Sequence, residues 1–163
     1  LQRSLLPEPG FSEPTLYVRT VGAVTFREGG AELGAGAVVS FDTAFGMFHA
    51  GRWRRLTVVD DLVLRVAATG TGWVEVVDHC RRRERVVARA ALSSRPLELR
   101  LGALSTAGWG VLYVRVVATD MSYLSHVEWH TDVEPVHDVR LNLSITTFNR
   151  QSYVVPTVKK VLG

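Results

Sequence analysis

Three features of the sequence predict a mainly β protein, an antiparallel sandwich or jelly roll over residues 1–138. Short apolar runs recur between turn residues, no amphipathic helical stretch separates them, and two of the runs alternate cleanly. In the first of these, Leu62, Leu64, Val66 and Ala68 point one way while Val63, Arg65 and Ala67 point the other. In the second, Leu112, Val114 and Val116 oppose Tyr113, Arg115 and Val117.

Leu1 to Pro14 is broken by Pro7, Pro9, Gly10 and Pro14, which deny it a long helix. The predicted strands then run Leu16–Thr20, Ala37–Phe41, Trp53–Val58, Leu62–Thr69, Trp73–His79, Arg85–Leu92, Leu97–Leu101, Trp109–Ala118 and Leu124–Thr131. Glu28 to Gly36, rich in glycine and alanine, reads as a loop. Asp60-Asp61 reads as a turn, and Gly70-Thr71-Gly72 as a hairpin connection. Arg81, Arg82, Arg83 and Arg85 are expected at a solvated hairpin tip, with an anionic membrane surface or an acidic partner as the sharper alternatives. No aromatic residues interleave with them as a stacking platform requires, so nucleic acid is not expected.

The texture changes near Pro135. Residues 139–163 read as a buried strand, Leu141 to Ile145, a polar turn from Thr146 to Arg150, and a helix start. Ser152 is placed to cap that helix and Pro156 falls near its first turn, where a missing N–H costs little. Val154, Val155, Val158, Val161 and Leu162 follow at helical spacing. Such a turn stands at the carboxyl end of a strand, where open α/β sheets bind ligands.

Of the 163 residues, 47% are hydrophobic and 21% charged, enough for a real core in a protein with a net charge of +3. No apolar run is long enough to span a bilayer, Leu1 to Gly10 lacks a secretory pattern, and Cys80 is the single cysteine. A cytoplasmic location is the expectation.

Ile145-Thr-Thr-Phe-Asn-Arg150 resembles the opening of family 2 glycosyltransferases with a GT-A fold. Upstream, Leu6-Pro-Glu-Pro-Gly10, Leu16-Tyr17, Val39-Ser-Phe-Asp-Thr-Ala-Phe45, Arg52-Trp-Arg-Arg55, Leu62 to Gly72 and Trp129 are similar to the β-sandwich that precedes the catalytic domain in actinobacterial galactofuranosyltransferases. The resemblance implies a sandwich over 1–138 and one β–α unit of a truncated GT-A domain over 139–163. It implies a parent enzyme that passes galactofuranose from UDP-galactofuranose to a cell-envelope polysaccharide, at the inner face of the membrane and as a homo-oligomer. Thr147, Phe148 and Arg150 would contact the donor nucleotide, Phe148 by apolar contact near uracil and Arg150 by pairing with phosphate. Thr146 stands where the family commonly has Pro, which leaves its role open. The divalent cation (Mg or Mn) and the general base of such enzymes belong to residues further downstream. This chain is therefore expected to hold no catalytic or metal residue, and to support acceptor positioning or assembly.

Two readings compete with that one. Trp53, Trp73, Trp109 and Trp129 invite a stand-alone carbohydrate-binding module, although tryptophan more often belongs to the core. His126, Glu128 and His130 share a strand face, followed by Glu134, His137 and Asp138, a donor set for a cupin-like metalloprotein. Such a row is also what a solvated outer face looks like. Cys80 has cationic neighbours but no evident base, and is read as a plain hairpin thiol.

Overall fold

The computed structural model describes residues 1–9, 13–80, 83–104, 108–134 and 155. These form eleven strands and one α-helix: β1 (Gln2–Arg3), β2 (Arg19–Val21), β3 (Val24–Arg27), β4 (Gly30–Leu33), β5 (Val38–Ser40), α1 (Ala50–Leu56), β6 (Asp61–Thr69), β7 (Gly72–Cys80), β8 (Arg83–Ala91), β9 (Leu97–Ala103), β10 (Leu112–Ala118) and β11 (Ser122–His130). One sheet runs β3-β4-β11-β6-β9, with β1 also paired to β11; the other runs β2-β5-β10-β7-β8. Neighbouring strands pair antiparallel throughout. The sandwich expected from the sequence is the fold. The proposed GT-A unit, including the boundary at 138, lies outside the described residues apart from Val155.

The core follows from the alternation. Leu62, Leu64, Val66, Leu124, Val127 and Trp129 of the first sheet meet Val39, Val74, Val76, Leu112, Val114 and Val116 of the second, all fully or almost fully buried. At one end the core is closed by an aromatic stack: Phe48 lies 4.9 Å from Trp129 and 6.1 Å from Trp53, with rings nearly parallel. Trp53 is carried there by α1.

Three expectations need correction. Trp53–Val58 is not a strand, because α1 occupies Ala50–Leu56 and turns Trp53 onto Phe48. The helix ends where the β-branched residues begin, with the Thr57 amide and hydroxyl both donating to the Trp53 carbonyl at 3.0 and 2.7 Å. Arg54 and Arg55 in its last turn favour the negative end of the helix dipole. Glu28 to Gly36 is not all loop. Gly30–Leu33 is a strand, in register with β3 on one side and β11 on the other. Its Gly30 has no room for a side chain against Tyr123 and the Leu124 carbonyl.

The third correction concerns Gly70-Thr71-Gly72. It does not close a hairpin, since β6 pairs with β11 and β9 while β7 pairs with β10 and β8. The segment crosses from one sheet to the other. Gly70 and Gly72 have φ of +108° and +142°; a Cβ on Gly70 would collide with Met121 and Ser122, and one on Gly72 with the Val117 carbonyl of β10. The hairpin here is the next one, β7–β8, where Cys80 pairs with Arg83 across the arginine-rich connection.

Asp61 is the first residue of β6 rather than part of a free turn, and it fastens the segment just after β11. Its carboxylate accepts from the Thr131 hydroxyl at 2.6 Å and the Asp132 amide at 3.1 Å, while Arg100 pairs with Asp132 at 2.8 Å. The hydrogen bonds from Thr131 and Asp132 hold the Asp61 carboxyl below its ordinary value, outweighing burial. A lowered folded-state pKa stabilises above the unfolded carboxylate value, and that contribution is lost as pH falls through the folded one. Asp61→Asn is therefore expected to cost about 1 kcal/mol at pH 7. The gap to the parent should close below about pH 4, as read from urea midpoints across pH. A gap that stays constant at acid pH would contradict this.

Candidate functional site

The outward face of the second sheet carries a charged row fixed by register. Arg19, Ser40, Arg115, Glu75 and Arg89 stand side by side across β2, β5, β10, β7 and β8. Glu75 is almost wholly buried, bonded by Arg89 and by Arg115 at 3.3 Å. Arg115 also reaches Glu84 at 2.9 Å and the Tyr113 hydroxyl at 2.6 Å. The two guanidiniums lie 5.5 Å from the ring centres of Trp73 and Tyr113, within cation–π range.

The charges explain the ionisation along this row. Tyr113 is fully buried beneath Arg115; burial, then its hydrogen bond to Glu84, push its phenol well above the ordinary range. The hydrogen bond from Tyr113 keeps the Glu84 carboxyl below its usual value against the effect of burial, and Arg115 assists. The Tyr113 phenol is thus kept protonated and Glu84 ionised at neutral pH, while the ion pairs of Glu75 tie β8, β7 and β10 together. The row braces the sheet.

A second feature lies at the β2 edge. Pro14, Thr15, Leu16 and Arg19 face Asp42 and Thr43 across a groove of about 500 Å³. Arg19 pairs with Asp42 at 3.4 Å, and Phe45 stands beside the groove, 5.4 Å from the Tyr17 ring and more than half exposed.

The residues singled out in the sequence are placed as follows. Thr147, Phe148 and Arg150, the proposed donor contacts, lie outside the described residues, as does His137. His126 and Glu128 are 3.3 Å apart on the half-exposed face of β11, and His130 pairs instead with Asp132 at 3.6 Å. Burial pushes the Glu128 carboxyl up, but the His126 hydrogen bond prevails and lowers it. Among the described residues no three His, Cys, Asp or Glu side chains gather to hold a metal ion. Trp129 is core, Trp53 and Trp109 pack against the core, and Trp73 lies under Arg89. None of the four is a bare exposed indole. No helix among the described residues is long and apolar enough to cross a membrane.

Glu75 and Arg89 drew no attention in the sequence and Arg115 only as one side of an alternating run, because it is the pairing of β7 with both β8 and β10 that brings the three together. Asp42, Thr43 and Phe45 were visible only as part of a family-like motif.

The fold defines the class of the described residues, a two-sheet antiparallel β-sandwich. The family model described as galactofuranosyltransferase 2 N-terminal matches residues 1–132, and the chain belongs to that family. It is 28% identical to galactofuranosyltransferase GlfT2 of Mycolicibacterium smegmatis over 171 residues, covering 92% of this chain and 25% of that protein. It is 39% identical over 85 residues to GlfT2 of Mycobacterium tuberculosis, covering 47% of this chain and 13% of that protein. The chain thus spans about a quarter or less of the length of these relatives. Among solved structures it is similar to the carbohydrate-binding module CBM36 in complex with calcium and xylotriose, at a TM-score of 0.41 and 16% identity over 71% of this chain and 96% of that one. A family two carbohydrate esterase from Clostridium thermocellum in complex with cellohexaose gives 0.40 and 11%, over 70% and 30%. At such scores these two likenesses carry no argument.

Proposed function

We propose that this chain is the N-terminal part of a family 2, GT-A type glycosyltransferase. The whole enzyme would move galactofuranose from UDP-galactofuranose to a growing cell-envelope polysaccharide, at the cytoplasmic face of the membrane and as a homo-oligomer. The observation that carries this reading is the likeness to the M. smegmatis enzyme over 92% of the chain, a span longer than the sandwich itself. Beyond β11, Asp132 is tied to Arg100, and residues 139–163 would form the first β–α unit of the catalytic domain. In that unit Thr147, Phe148 and Arg150 would contact the uridine diphosphate, with Arg150 supplying a planar two-point donor to phosphate. The cation (Mg or Mn) and general base would come from beyond residue 163, so this chain alone would not transfer sugar. Its sandwich would position the acceptor or support assembly.

The test is transfer from UDP-galactofuranose by the protein encoded by the whole gene. Arg150→Ala is expected to raise the donor KM about ten- to fiftyfold, the worth of one charge-assisted hydrogen bond to phosphate, and Phe148→Ala less. No transfer by the whole protein, or an unchanged donor KM in both variants, would overturn the respective claim.

A further inference from the structure

We propose that the groove at the β2 edge binds a neutral saccharide, with Asp42, Thr43, Thr15 and Arg19 supplying the hydrogen bonds and the exposed Phe45 ring, next in sequence to the lining residue Ala44, offering apolar surface at its border. The choice of a galactofuranosyl chain as the saccharide rests on the function proposed above; the site itself rests on geometry alone.

Phe45 is exposed by design of the loop rather than by slackness. Phe41 and Phe48 on either side of it are completely buried. Between them the Gly46 and Met47 amides donate to the Thr43 carbonyl at 3.1 Å, and the Gln2 side chain donates to the Met47 carbonyl at 3.1 Å. Gly46 sits so close to the Phe41 carbonyl that a side chain there would clash. The Phe45 amide donates to the Leu16 carbonyl at 3.2 Å, which joins the loop to the other wall of the groove. A ring held out at 56% exposure by so many fixed contacts is preorganised for a partner.

The groove's chemistry selects the ligand class. Its volume, about 500 Å³, suits a small-molecule site. Asp42 accepts only, Arg19 donates only, the Thr43 hydroxyl does both, and the Thr15 hydroxyl, which donates to Glu13 at 2.9 Å, is left to accept. Asp42 Oδ1 and Thr43 Oγ1 have no hydrogen-bond partner among the described residues, and each is shielded from solvent. Arg19, whose side chain is 71% exposed and whose pairing with Asp42 is long at 3.4 Å, is free to swing aside and open that carboxylate. One anion beside one cation rejects a phosphate as much as a metal ion, whereas sugar hydroxyls both donate and accept. The C–H face of a sugar ring would lie against Phe45.

The experiment titrates the 163-residue chain with a synthetic galactofuranosyl tetrasaccharide, followed by amide NMR shifts. Shifts are expected at Thr15–Thr20 and Thr43–Phe45. Phe45→Ala and Asp42→Asn should each weaken binding about tenfold. Arg19→Gln provides a second polar variant at an exposed position. Val86→Ser, on the opposite edge strand β8, should bind like the parent. No saturable shifts at millimolar tetrasaccharide, shifts centred on Trp73, or equal binding of inorganic phosphate in the groove would each overturn the proposal. Transfer activity in the whole protein without saccharide binding by this chain would remove the groove and leave the function standing. Groove binding without transfer would do the reverse.

Discussion

Trp129→Ala is expected to remove about 3–5 kcal/mol of folding stability, the range for truncating a buried large aromatic side chain. Trp129 is completely buried and stacks on Phe48 at 4.9 Å, and Phe48 in turn stacks on Trp53. Truncation thus opens a cavity that two further aromatic rings would have to refill. It also sits where β11 pairs with both β6 and β1, opposite Leu64 and Gln2, so a collapse there disturbs three strands and the seat of α1. Domains of this size hold only about 5–15 kcal/mol in total, so the variant should be marginal.

Trp129→Phe separates packing from polarity at the same position. The indole N–H is buried with no partner among the described residues. An unsatisfied buried donor costs about 1–3 kcal/mol, and removing it offsets much of the lost ring volume. The phenylalanine variant is expected within about 1.5 kcal/mol of the parent. Urea midpoints would check both variants. Equal losses for Phe and Ala would show that the N–H is satisfied and that the indole itself is required.

The body of the sandwich was legible because period-two alternation is written locally. Leu62 to Ala68 and Leu112 to Val117 alternate residue by residue; the structure buries Leu62, Leu64, Val66 and Ala68, and Leu112, Val114 and Val116, on one side of each, with Val63 and Tyr113 buried on the other as well. The failures share a cause in tertiary context. Trp53–Val58 reads as a strand because Thr57 and Val58 favour one, yet the stack with Phe48 decides that Trp53 arrives on a helix. Gly30–Leu33 has weak strand preference of its own, and becomes one because β3 and β11 offer it pairing on both sides. Gly70-Thr71-Gly72 looks like any glycine turn, and only the position of β10 and β11 shows that it crosses between sheets. The groove escaped for a similar reason: Arg19 and Asp42 are 23 residues apart in sequence and meet only after β2 pairs with β5. What the sequence did carry about function came as resemblance, and its donor-contact residues fall in a segment the structure does not describe.

Glu75→Ala is expected to cost about 2–4 kcal/mol, less than the deepest buried pairs because Arg89 and Arg115 keep part of their hydration. The Glu75 side chain is only 6% exposed while those arginines are 59% and 27% exposed. Removing the carboxylate leaves two like charges one strand apart, both pressed onto aromatic rings and no longer neutralised between them. Arg115 retains Glu84, so the greater loss should fall on Arg89 and the β7–β8 pairing. Glu75→Gln keeps the hydrogen bonds without the charge and should cost less than the alanine variant. Replacing Glu75 and Arg89 together by leucine should recover much of the loss, since a matched apolar pair avoids the desolvation that the ions incur. Urea midpoints of the three variants measure this directly. Should the double leucine variant prove as weak as Glu75→Ala, the sheet would depend on the charge pairing itself rather than on avoiding an unpaired cation.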